Sequence, residues 1–154
     1  LVSKGFNQYE VSNFARDGLE CQHNNSYWHY DDYISFGPSA HSFNREERGW
    51  NVRNNSKYIN AIQQNKLPME VETLTKTDQY NEYVMTGLRT IWGVSLVKVE
   101  SDFGSLYKDY LLEQAEVFIN QHLLYIEDMH IKVSKEGQFL SDGIASELFK
   151  VNTS

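Results

Sequence analysis

His23-Asn24-Asn25-Ser26-Tyr27-Trp28 sets an imidazole, two amides, a phenol and an indole into one short run. Tyr9-Glu10-Val11-Ser12-Asn13-Phe14-Ala15-Arg16 precedes it, and Phe36-Gly37-Pro38-Ser39-Ala40-His41-Ser42 follows. Filling a core does not need this density of polar-tipped rings. Tyr and Trp bury large apolar faces while keeping one hydrogen-bonding tip that requires a partner. A flat, partly polar ligand suits such a surface.

Taken in order, the Tyr-Glu-Val-Ser-Asn-Phe-Ala block, the His-Asn-x-x-Tyr-Trp block and the Phe-Gly-Pro-x-Ala-His-Ser block resemble the oxygen-independent coproporphyrinogen III oxidase-like branch of the radical SAM enzymes (the HemN/HemW group), in its C-terminal portion. The second block is most similar to the haem-chaperone subgroup. Thr86-Gly87-Leu88-Arg89 with Gly93-Val94 resembles the family's Gly-Leu-Arg segment. The stretch from Ile131 through Gly137 to Phe149 resembles its closing unit. Ser39 departs from the family, which commonly carries a second glycine there.

The resemblance implies an α+β chain. Residues 1–53 would be remnant strands at the C-terminal end of a partial β/α (radical SAM) barrel; residues 54–154 read, by their helix–helix–strand–strand–helix order, as a mostly helical, winged-helix-like C-terminal domain. It implies a parent protein of haem and porphyrin metabolism that binds a [4Fe-4S] cluster and S-adenosylmethionine through residues outside this chain, with haem or a porphyrinogen as ligand. The alternative within the family is a coproporphyrinogen III dehydrogenase, which decarboxylates propionate side chains oxidatively. The partners implied are the upstream barrel of the same protein and a haem-acceptor protein. Leu1 in place of an initiating Met supports reading the chain as a C-terminal fragment, inert as a catalyst alone because the family's Cys-x-x-x-Cys-x-x-Cys motif is absent from it.

Bulk properties narrow the field independently. The 154 residues suffice for one core with an appendage, and 40% hydrophobic with 14% aromatic content describes a folded chain. A net charge of -7 argues against nucleic acid, whose binders present a basic stripe. One cysteine excludes an internal disulfide framework and fits a reducing, cytoplasmic setting; it also falls short of the about four thiolates that hold an iron–sulfur cluster. No segment reaches the roughly twenty apolar residues of a membrane span.

Periodicity suggests the elements. Residues 6–14 read as one strand, residues 17–18 as a turn, and Asn24 or Asn25 as the cap of a short helix running to residue 30. Residues 33–36 read as a buried strand and residues 50–53 as an exposed one. A helix capped by Asn55 or Ser56 reaches about residue 65. Thr75-Lys76-Thr77-Asp78 opens a helix whose stripe is Tyr80, Tyr83, Val84, Gly87, Leu88, Ile91 and Trp92, with Gly93 as the stop. Helices over residues 95–103 and 105–121, a hairpin over 123–134 and a helix over 139–149 complete the chain.

His23 is the first candidate ligand: the resemblance gives its block a role in holding haem, where a neutral imidazole can ligate iron. Asn24, Tyr27 and Trp28 would contact the macrocycle, and His41 would sit in a loop at the barrel's open end. Glu10 and Asn13 are further candidates for cofactor contact, with the plain alternative that Glu10 anchors a neighbouring segment through Arg16 or Arg53. Arg89 lies off the apolar stripe; a solvated face explains it, and a guanidinium reaching an acidic group or a propionate is the other reading. The spacing of His23, His29 and His41 suits no compact metal site. A reading from another class remains open: residues 55–154 as a winged-helix-like protein-interaction module.

Overall fold

Thr75 begins the central helix for a local reason. Its hydroxyl accepts from the Asp78 N–H at 3.2 Å, and the Asp78 carboxylate accepts from the Thr75 N–H at 3.0 Å, a reciprocal capping box. In the computed structural model, which describes residues 1–151, this helix is the third of six, and residues 152–154 of the expected second domain lie outside the described part.

The first third is short-element structure. Strands β1 (Asn7–Gln8) and β2 (Phe14–Ala15) pair antiparallel, and helix α1 (Gln22–Trp28) follows. A second sheet contains β3 (His41–Phe43), β4 (Glu47–Asn51) and β5 (Met69–Thr73) in the order β3-β4-β5, all antiparallel. Helix α2 (Asn55–Gln63) connects β4 to β5 and is capped by the Asn54 side-chain Oδ1, which accepts from Lys57 N at 2.9 Å.

The remainder contains α3 (Lys76–Leu88), β6 (Val94–Ser95), α4 (Leu96–Phe103), α5 (Ser105–Asn120), β7 (Leu124–Glu127), β8 (His130–Val133) and α6 (Ser141–Glu147). Its sheet runs β6-β8-β7, antiparallel throughout. Asp128 and Met129 both take positive φ (48° and 60°) in the tight β7–β8 turn, the conformation that matches strand twist in a two-residue hairpin. Gly104, at φ 97°, separates α4 from α5. The core lies among α3, α4, α5, α6 and this sheet: Tyr80, Val84, Val99, Leu111, Ile131 and Leu148 are all sealed. Tyr80 resolves its polar tip by donating to the Leu148 carbonyl at 3.1 Å.

Several sequence expectations change. Residues 6–14 are not one strand, because Ser12 and Asn13 turn back onto the Glu10 side chain and Asn13 N donates to Glu10 O at 3.1 Å. The cap of α1 is Cys21 rather than Asn24 or Asn25, and makes no side-chain capping bond. Of residues 33–36 only Tyr33 pairs, with Phe43; Ile34 and Phe36 are 74% and 82% exposed. The strand expected at residues 50–53 lies instead at Glu47–Asn51, central in its sheet with Asn51 buried. Strand β5 was not anticipated. No residue of α2 is fully buried: Ile59 and Ile62 are exposed, and Tyr58 is half-buried, its hydroxyl accepting from Gly37 N at 3.1 Å.

The stripe of α3 is buried through Leu88, yet the helix stops there, short of Gly93. The N-terminal segment takes its last backbone groups. Val11 N donates to Arg89 O at 3.0 Å, Ile91 N donates to Tyr9 O at 3.2 Å, and Glu10 bridges Thr90. Strand-like pairing from about eighty residues away replaces the final turn, and Gly93 (φ 74°) then redirects the chain into β6.

Candidate functional site

The buried hub of the candidate region is Glu10, whose side chain is fully enclosed. One carboxylate oxygen accepts from Ser12 N (2.9 Å), Ser12 Oγ (2.9 Å) and Asn13 Nδ2 (2.7 Å). The other accepts from Arg89 Nη2 (3.1 Å) and Nε (3.3 Å). Burial alone would raise this carboxyl, but the Ser12 N–H and hydroxyl, with the Arg89 guanidinium, outweigh it and hold the group below its ordinary 4.5. Arg89 turns its remaining edge to Asp142 on α6, at 2.7 and 2.9 Å, and its guanidinium lies 5.5 Å from the Trp28 ring. Neither Arg16 nor Arg53 is the partner that the sequence suggested for Glu10; Arg16 lies over Phe6 at 5.2 Å. Glu10 and Asn13 therefore act together on a structural hub, and their carboxylate oxygens and amide are already engaged there.

Helix α1 divides its aromatic residues between faces. His23 is exposed and meets Tyr27 edge-on at 5.2 Å, with the Tyr27 hydroxyl 3.4 Å from His23 Nε2. Tyr27 in turn packs edge-on against Tyr33 at 4.6 Å. Trp28, five positions after His23, turns toward Arg89 instead, and Asn24 is half-buried between. Asn25 Oδ1 and Trp28 Nε1 are both sealed without a hydrogen-bond partner among the described residues, which costs free energy unless water or a ligand serves them. His41 is exposed on β3 opposite Trp50, on a different element from the α1 rings. Ser39 holds φ 62°, a left-handed conformation that explains why glycine suits the position.

The donor set does not fit an iron–sulfur cluster: Cys21 is the chain's single thiol. Among the described residues no three His, Cys, Asp or Glu side chains come together to hold a metal ion. Arg89 is the residue that sequence reasoning undervalued. Its place immediately after the buried end of α3 was the available signal.

Comparison with known proteins defines the class. The family model described as the HemN C-terminal domain matches residues 74–140. The "Heme chaperone HemW" of Lactococcus lactis is 33% identical over 144 residues, covering 94% of this chain and 38% of that protein. The protein of the same name from Bacillus subtilis is 30% identical over 149 residues, covering 94% and 38%. Among solved structures, the Escherichia coli radical SAM enzyme coproporphyrinogen III oxidase (HemN) superposes with a TM-score of 0.74 at 17% identity, over 97% of this chain and 38% of that one. The chain thus carries the C-terminal domain of HemW/HemN-type radical SAM proteins. It spans under two-fifths of the length of the relatives it matches.

Proposed function

We propose that this chain is the C-terminal part of a haem-chaperone-type radical SAM protein, and that the exposed His23–Tyr27 face of α1 receives haem. The observation that carries the reading is the rank of rings from exposed His23 to half-buried Tyr27 and Tyr33, in successive edge-on contact at 5.2 and 4.6 Å. Edge-on packing presents ring edges and faces to a flat guest, and a His23 ring nitrogen would ligate iron, Nε2 only on parting from the Tyr27 hydroxyl 3.4 Å away. The names of the similar bacterial proteins support the ligand class. Asn24 would border the macrocycle, Trp28 would support that side of α1 from the Arg89 face, His41 would approach from β3, and Glu10 with Asn13 would hold the framework through Arg89.

In this reading residues 1–53 close the end of a β/α barrel supplied by the rest of the protein. That upstream part would hold the [4Fe-4S] cluster and S-adenosylmethionine, and a cytoplasmic acceptor protein would take the haem. Among the described residues no helix is long and apolar enough to cross a membrane. A haem titration of the full-length protein should produce a Soret shift that His23→Ala abolishes. An unshifted spectrum in the unsubstituted protein removes the reading, and turnover of coproporphyrinogen III would move the protein to the dehydrogenase side of the family.

One observation favours a second reading. The order β6-β8-β7, with α4 and α5 between β6 and β7, supports a winged-helix-like interaction module over residues 55–154. It would take a protein rather than DNA, since its second long helix carries Asp109, Glu113 and Glu116 where a DNA reader is basic.

A further inference from the structure

A cleft of about 210 Å³ lies where the segment around Gln8 and Val11, the end of α3 and the β8–α6 connection converge. Val11, Ile91, Tyr125 and Val133 give it an apolar wall. Its volume is below the ~300 Å³ at which pockets begin to enclose drug-sized ligands, so a guest must be compact. Glu10 is the one carboxylate of the lining, and both its oxygens are already engaged by Ser12, Asn13 and Arg89. The cleft therefore offers a cation nothing to bind.

The polar groups left over are donors. Ser141 is 3% exposed, yet its hydroxyl has no hydrogen-bond partner among the described residues. That oxygen is not sealed, so it opens into the cleft that Ser141 lines. Ser134 Oγ accepts from Gly137 N at 3.1 Å and keeps its own hydrogen to give. Lys135, next in the lining, is exposed and has no carboxylate within ion-pair reach among the described residues. Its neighbouring cations are spent: Lys132 pairs with Glu127 at 2.8 Å, and Arg89 is shared by Glu10 and Asp142. Donors without acceptors, one of them charged, describe a place for an anion. The apolar wall adds that the anion carries a nonpolar body.

We propose that this cleft binds a small aryl or branched-alkyl carboxylate, with Lys135, Ser134 and Ser141 on the anion and Tyr125, Val133 and Ile91 against its body. Such a guest would touch the N-terminal segment, the end of α3 and the β8–α6 connection at once, and so stabilise their packing. Calorimetric titration of the full-length protein with benzoate and with isovalerate tests it, inorganic phosphate serving as the control anion. One saturable equivalent of either carboxylate is expected, with a raised thermal midpoint and no competition from phosphate. Amide exchange should slow over residues 88–91 and 133–141 and stay unchanged over α1. Lys135→Met, at an exposed position, should weaken binding about tenfold, the value of one charge-assisted hydrogen bond, and leave the unliganded thermal midpoint in place. Ser141→Ala should weaken it by a smaller factor. Absence of binding by both carboxylates, displacement by phosphate, protection confined to other segments, or unchanged affinity in Lys135→Met each overturns the proposal. None of these outcomes bears on His23, which the haem titration decides separately.

Discussion

Arg89 connects three parts of the chain that are remote in sequence: the Glu10 turn, the Trp28 ring of α1 and the Asp142 end of α6. Removing one partner of a buried ion pair strands the other charge. Arg89→Ala should therefore destabilise the protein by about 3 kcal/mol, read from urea unfolding. Glu10→Gln should cost less, because Arg89 retains Asp142. Glu10 also sets a pH dependence. Its folded carboxyl lies below its ordinary 4.5, so its contribution is complete above that value and is lost as pH falls through the lower, folded one. Unfolding series taken from neutral to acid pH should show this loss in the unsubstituted protein and a flatter acid limb in Glu10→Gln. The sequence allowed Arg89 an acidic partner without identifying it, because the two residues are 79 positions apart and no local spacing links them.

At the scale of elements, legibility followed locality. The Thr75–Asp78 capping box was readable because both halves lie within one turn, and Thr75→Ala should cost about 1 kcal/mol, measured as a lowered thermal midpoint. The α4–α5 break at Gly104 and the β7–β8 hairpin were equally local. Strand β5 escaped notice because its alternation of Met69, Val71 and Thr73 with Glu70 and Glu72 is half charged and mostly exposed; its stability comes from pairing with β4. The end of α3 was misplaced for the complementary reason. Its apolar period continues to Trp92, but distant backbone groups of Tyr9 and Val11 claim the final turn. The candidate histidines were visible as residue types, whereas the division of α1 into a His23–Tyr27 face and a Trp28–His29 face needed the helix and its neighbours in place.

For the whole molecule, charge decides more than topology. A β6-β8-β7 sheet beside α3, α4 and α5 invites comparison with DNA readers, but the chain carries a net charge of -7. Nonspecific DNA affinity is dominated by phosphate neutralisation, so gel-shift titrations at low salt should give no retarded species. The -7 charge and the scarcity of cysteine were readable at once from composition, and so was the family through its three N-terminal blocks. The antiparallel β3-β4-β5 arrangement was not, since strand order depends on contacts across residues 52–68 that no local pattern encodes.

The placement of the three tryptophans has one more consequence. Trp28 and Trp92 border a cavity beside His130, while Trp50 donates its indole N–H to Glu70 at 3.1 Å on the β4–β5 ladder. The polypeptide thus contains its own optical gauge: two emitters stand where α1 meets the end of α3, and the third answers to the integrity of a separate sheet. Loss of either region can therefore be followed in a single cuvette without attaching a dye.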